Sequence, residues 1–227
     1  SASSLRNARD ILVPPAAAVL PYPSSMNHTA AIRHLKRADP VLASIIRSVG
    51  ACELGLTRQR AHFHALTRSI IYQQLSGKAA ATILGRMHDI YGGRPPTAAQ
   101  LLVTPDAALQ GAGVSRQKIG YLRDLASRVD SGEVPLTRIA RLPDEELIAT
   151  ITKVKGIGRW TAQMFLMFQL HRPDVLPELD LGIQNAIWKA YGLRKRPAPG
   201  DVLRIGAPWR PHASVASWYL WRSLDTA

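Results

Sequence analysis

The run Lys153-Val154-Lys155-Gly156-Ile157-Gly158-Arg159-Trp160-Thr161-Ala162-Gln163-Met164-Phe165-Leu166-Met167-Phe168 is followed, after a short gap, by Pro177-Glu178-Leu179-Asp180-Leu181-Gly182-Ile183-Gln184. It reads as a helix end, a glycine hairpin, a buried helix and a lone acid at the start of another helix. Gly156 and Gly158, on either side of Ile157, allow positive φ and a close backbone approach to a ligand. Lys153, Lys155 and Arg159 beside them point to an anionic ligand. The N–H groups that open the second helix, together with its dipole, make an anion site without side chains. An ordinary turn between two helices carries the same Gly-x-Gly, so the motif by itself leaves both readings open.

Working outward, apolar spacing predicts helices over 27–36, 40–49, 61–72, 78–91, 115–129, 142–153, 160–170, 180–192 and 212–224. Gly50, Gly92-Gly93 and Gly192 are helix stops. Thr97 and Thr104 are expected to cap short helices, with Pro105 and Asp106 in the first turn of the second. Residues 194–200 read as a loop. The segment from Trp160 is apolar nearly all round, so its helix is central and buried. No alternating strand pattern occurs, and the fold class expected is all-α. Residues 1–25, rich in Pro, Ala and Ser, read as an extended or partly disordered arm.

The chain has 227 residues, 46% hydrophobic and 20% charged, a globular composition with room for a substantial core. Its net charge of +13 favours a polyanion, nucleic acid ahead of an acidic membrane. The single Cys52 excludes an intramolecular disulfide, a cysteine-rich zinc site and a four-cysteine iron–sulfur cluster. No uninterrupted apolar run approaches the length of about 20 residues that spans a membrane. Residues 11–23 are broken by Pro14, Pro15, Pro21 and Pro23, so no signal peptide is expected.

Val154-Lys155-Gly156-Ile157-Gly158-Arg159-Trp160-Thr161-Ala162, followed by Pro177-Glu178-Leu179-Asp180-Leu181-Gly182, resembles the helix–hairpin–helix DNA glycosylase superfamily. The branch it is most similar to is 3-methyladenine DNA glycosylase II of alkylation repair, in a compact form without that enzyme's N-terminal β-rich domain. Ile70-Ile71-Tyr72-Gln73-Gln74-Leu75-Ser76 and the segment from Pro208-Trp209-Arg210 to Ser217-Trp218-Tyr219-Leu220-Trp221 extend the likeness over most of the chain from about residue 30. The resemblance implies a bilobal helical fold with a cleft between lobes. One lobe would span 60–175 and hold the hairpin at about 143–170. The other would join 26–59 to 176–227. It also implies a monomer acting on damaged double-stranded DNA, away from membranes. That DNA would be the nucleoid of a bacterial cytoplasm or a eukaryotic nucleus.

Asp180 has a bland role as a helix N-cap and a chemical one, and the two are compatible. A helix N-terminus favours the carboxylate, and base excision needs negative charge beside the sugar as C1′ becomes positive. The resemblance places the catalytic aspartate here. Glu178 lies off the motif and is expected on a solvated surface. Excision takes the nucleotide out of the stack into a pocket, and an indole face attracts a cationic alkylated purine by about 0.5–2 kcal/mol. By matching position, Trp218 stacks on the base and Trp160 forms a wall; Met164, Tyr72 and Trp209 complete the candidates. Met164 stands where relatives carry an aromatic. Trp188 and Trp221 read as core.

Gln74, with Leu75 as the alternative, matches the family's inserting position, which fills the gap left by the flipped nucleotide. Lys153, Lys155, Gly156, Ile157, Gly158 and Arg159 are the candidates for the DNA backbone. The family's hairpin carbonyls also hold Na⁺ or K⁺, which implies Val154, Gly156 and Arg159 here; no other cofactor is expected. His62 and His64 fall on different faces of a helix, and the remaining histidines are scattered, so no transition-metal site is expected. The bifunctional glycosylase/lyase relatives carry a lysine nucleophile where this chain has Trp160. Without an amine there is no Schiff base, so hydrolysis alone is expected. Two competing readings are a non-enzymatic helix–hairpin–helix protein that recognises damage, and a glycosylase for deaminated or mismatched bases.

Overall fold

The computed structural model describes residues 28–55 and 61–225, which fall into two compact units, 61–165 and 28–55 with 166–225. The expected arm at 1–25 lies outside the described residues. The second unit begins at Leu166, earlier than the expected boundary at 176. The segment before Val175 is tied to the C-terminal helix. Ser214 N–H donates to Pro173 O, Ser214 Oγ donates to Arg172 O, and Val175 N–H donates to Ser214 Oγ.

Among the described residues every regular element is helical. The first unit contains α3 (His62–Tyr72), α4 (Gly77–Asp89), α5 (Ala98–Val103), α6 (Asp106–Gly111), α7 (Arg116–Asp130), α8 (Asp144–Ile151) and most of α9 (Arg159–Phe168). Helix starts follow local chemistry. Ser76 and Ser115 accept from the N–H groups of Ala79 and Lys118, and Thr97 forms a reciprocal box with Gln100. Thr104 departs from expectation. It is the C-cap of α5, its hydroxyl turned back to Gln100 O, and the next helix opens from Pro105. Leu66, Ile70, Ile71, Met87, Leu101, Leu122 and Leu125 are fully buried in this unit. Each contributes roughly 1.5–3 kcal/mol of hydrophobic stabilisation.

The second unit comprises α1 (Thr29–Ala38), α2 (Pro40–Val49), α10 (Leu181–Ala190), α11 (Pro199–Gly206) and α12 (Ala213–Ser223). Its core gathers Leu35, Leu42, Ile183, Ile187, Trp209 and Tyr219. Within it Asp39 is buried and accepts from the N–H groups of Val41 and Leu42, from Tyr191 OH and from Trp209 Nε1. Burial first, and the Asp39 carboxylate second, hold the Tyr191 phenol protonated well above its ordinary range. Helix α11 is not expected from the sequence. Pro199 occupies its first turn and Asp201 accepts from Ala198 N–H, so a stretch that reads as Pro/Gly loop becomes a short helix.

Candidate functional site

The hairpin joins α8 to α9. Gly156 has φ of +81°, and a Cβ there would lie 2.3 Å from the Tyr121 ring, so both the turn and the space demand glycine. Ile157 and Val154 are buried beneath it, whereas Lys153, Lys155, Gly156 and Gly158 are exposed. Asp124 Oδ2 accepts from Lys155 N–H at 2.8 Å and from Arg128 Nε at 2.9 Å. Burial works against the Asp124 carboxylate, but these donors and the nearby charges of Arg128 and Lys155 outweigh it and hold its pKa below the ordinary value.

Arg159 has a partner within the first unit. Its guanidinium is bidentate to Glu145, at 2.8 and 2.7 Å, so its charge is matched within the protein. Lys153 is also paired, more loosely, at 3.8 Å from Glu133, and Lys155 is exposed beside it. Of the carbonyls expected to hold an alkali cation, Val154 O accepts from Ile157 N–H and Gly156 O accepts from Gln73 Nε2 at 2.7 Å. Among the described residues no group of three or more His, Cys, Asp or Glu is arranged to hold a metal ion.

The loop at 73–76 follows α3 and is held at both sides. Lys118 Nζ donates to Ile71 O at 2.6 Å and to Gln73 O at 2.7 Å, while the Gln73 side chain reaches the hairpin. At its tip Gln74 is exposed with φ of +57°, a left-handed conformation that a residue with a Cβ adopts at a cost of about 1–2 kcal/mol. Strain of this kind concentrates at functional positions. Leu75 is half-buried. Of the two expected inserting residues, Gln74 is the one presented to solvent.

Asp180 caps α10. It is 3% exposed, and its Oδ1 accepts from Ile183 N–H at 2.8 Å and from Trp221 Nε1 at 2.9 Å. The helix dipole and two donors thus stabilise a buried anion. Gly182 makes room for this arrangement. A Cβ on it would stand 2.9 Å from Asp180 Oδ1 and 3.0 Å from Trp221. Trp221, expected to be core, is half-buried against the core, stacks on Phe168 with ring centroids 5.9 Å apart and in addition holds the carboxylate. Nothing in the sequence around Trp221 signals that bond. Glu178 is buried at 8% exposure and not on a solvated surface, because the turn folds back. Asp180 N–H donates to Pro177 O, and Gln184 Nε2 donates to Glu178 O.

The aromatic candidates divide between the units. In the first, Trp160 is half-buried, Met164 is buried a turn along the same helix, and Tyr72 carries the Arg68 guanidinium 3.8 Å from its ring centroid. In the second, Trp218 is buried at 6% exposure in the same core cluster as Trp209, and packs edge-on to Tyr219, centroids 5.0 Å apart, with Arg222 beside it. Trp209 does not belong to a pocket. It is fully buried in the core with its indole N–H on Asp39. Trp188 is no core residue; it is 40% exposed, and its N–H donates to Leu193 O.

Residues 67–211 match the family described as HhH-GPD superfamily base excision DNA repair protein. DNA-3-methyladenine glycosylase 1 of Schizosaccharomyces pombe is 34% identical over 202 residues, 88% of this chain and 89% of that protein. A 3-methyladenine DNA glycosylase of the same yeast, in complex with abasic DNA, superposes with a TM-score of 0.77 at 33% identity, covering 86% of this chain and 97% of the other. A DNA-3-methyladenine glycosidase of Bacillus halodurans gives 0.78 at 36% identity, covering 86% and 89%. The glycine hairpin, the capped aspartate and these similarities together make the chain a member of the HhH-GPD superfamily of base excision DNA repair proteins.

Proposed function

We propose that this protein is an alkylbase DNA glycosylase of base excision repair. It takes 3-methyladenine, 7-methylguanine and similar bases out of double-stranded DNA and hydrolyses the N-glycosidic bond, as a monomer and without lyase chemistry. The observation that carries this reading is Asp180, a buried carboxylate whose Oδ1 is fixed by the N–H of Ile183 and the indole of Trp221. A fixed anion of this kind suits a reaction in which the sugar becomes positive.

In the proposed mechanism the hairpin backbone and Lys153 and Lys155 hold phosphates, and Gln74 fills the space left by the extruded nucleotide. An indole face receives the base, Trp160 being the candidate in the first unit and Trp218 the candidate in the second. An N3- or N7-alkylated purine carries positive charge, so cleavage of its bond to C1′ releases a neutral base and needs little acid help. Asp180 stabilises the oxocarbenium-like sugar, water oxygen bonds to C1′, and the water's proton leaves through Asp180 or solvent. An abasic site remains. Trp160 supplies no amine, so no Schiff base forms there.

The test is incubation of the protein with methylated, uracil-containing and undamaged duplexes, resolved with and without subsequent alkali. Strand breaks confined to the methylated duplex, and appearing only after alkali, are expected. Nicking before alkali contradicts the hydrolytic reading, and release of no base from any duplex contradicts the enzymatic one.

A further inference from the structure

Helix α7 touches both parts of the first unit that the proposed reaction brings to DNA. Lys118, Tyr121, Asp124 and Arg128 recur at helical spacing and so share one stripe. Lys118 Nζ donates to Ile71 O and Gln73 O, at 2.6 and 2.7 Å, and these are carbonyls at the end of α3 that no helical N–H can satisfy. Along the same stripe Tyr121 lies against Gly156, its hydroxyl accepts from Gln117 Nε2 at 2.7 Å, and Asp124 takes Lys155 N–H. Gln73 closes the circuit by donating its amide to Gly156 O at 2.7 Å.

The geometry points to Lys118 and Gln73 as positioning residues that hold the Gln74 loop in register with the phosphate-binding hairpin. Neither touches the reacting atoms; both act through Gln74. The inference rests on the reading of the chain as a base-extruding glycosylase. Its physical basis is that insertion needs the tip held in a conformation it does not prefer. Gln74 has φ of +57°, and the peptide groups just before it are the ones that Lys118 clamps. The ammonium is partly desolvated, and burial lowers its pKa, while the charge-assisted bonds to two carbonyls keep it in place. A neutral isostere at Lys118 leaves those carbonyls unpaired and lets the tip relax to the right-handed or extended region.

The test compares wild type with Lys118→Met and Gln73→Leu, using Gln74→Ala as the control for the tip itself. Insertion is followed in a duplex with 2-aminopurine beside a tetrahydrofuran abasic analogue. Base release is measured under single turnover on an alkylated base that is paired, and on the same base opposite an abasic analogue. Loss of the fluorescence change is expected for both variants, with excision of the paired lesion slowed about tenfold or more, in line with the cost of small misplacements. The unpaired lesion, whose extrusion requires less, is expected to slow less than about threefold. Lys118→Arg, which keeps a cation, is expected to recover part of the signal. Equal slowing on both lesions overturns the proposal in favour of a purely structural role, and unchanged fluorescence with unchanged excision overturns it outright. If the wild type gives the fluorescence change but releases no base, the glycosylase reading fails, and the fluorescence of the variants still decides whether Lys118 and Gln73 position the tip. A wild type without the fluorescence change overturns the inserting role on which this inference stands.

Discussion

At the scale of single residues, Asp180 Oδ1 serves a helix cap and an anion with the same two hydrogen bonds. The Trp221 indole is therefore expected to matter to catalysis through that bond. Trp221→Phe keeps the stacking on Phe168 but removes a charge-assisted bond worth about 1.5–3 kcal/mol. Single-turnover excision is expected to fall about ten- to a hundredfold, with DNA affinity little changed; equal loss of affinity would point to misfolding. Gly182→Ala places a methyl 2.9 Å from Asp180 Oδ1, so it is expected to slow excision and lower Tm together. None of this is legible in sequence beyond the acid itself. Asp180 at a helix start is a local pattern, whereas its bond to Trp221 joins residues far apart in the chain.

At the scale of elements, the hairpin has one position without tolerance. Gly156→Ala meets both the positive φ and the Tyr121 ring, and is expected to destabilise the protein by about 2–4 kcal/mol, combining backbone and overpacking costs. Thermal melts of Gly156→Ala alone and with Tyr121→Ala separate the two costs, since the second substitution relieves only the clash. Asp124 bears on pH. Its folded pKa is depressed below the ordinary 3.8, so its contribution is fully present above that value and is lost as the pH falls through the lower folded value. Acid titration of Asp124→Asn is expected to show less stability lost over that window than wild type. Helix starts were legible wherever a short polar side chain caps them, as at Asp39, Ser76, Thr97, Ser115 and Asp180. Helix α11 was not legible, because Pro-Ala-Pro-Gly carries loop chemistry until Asp201 closes the turn. The place of Trp209 is hidden for a related reason. A tryptophan near a motif reads as pocket or core alike, and the partner that settles it, Asp39, is distant in the chain.

At the scale of the whole molecule, the charge of +13 makes DNA affinity a function of salt. The logarithm of the association constant is expected to fall linearly with the logarithm of salt concentration. Lys153→Ala and Lys155→Ala should each reduce that slope by about one. Arg159→Ala is expected to change it less, because its guanidinium is held bidentate by Glu145 at 2.8 and 2.7 Å, whereas Lys153 stands 3.8 Å from Glu133. Equal effects from all three substitutions would contradict that assignment. The net charge and the hairpin motif were legible in sequence; the pairing of Arg159 was not, since nothing local distinguishes a paired from an unpaired arginine. The central claim is chemical, and the most direct measurement is release of 3-methyladenine from alkylated duplex DNA by wild type and Asp180→Asn under single turnover. Asparagine caps a helix and accepts the same two hydrogen bonds, so the variant removes the charge and little else. A loss of roughly a hundredfold or more at preserved fold and DNA affinity is the expected result. Release at the wild-type rate would contradict the account.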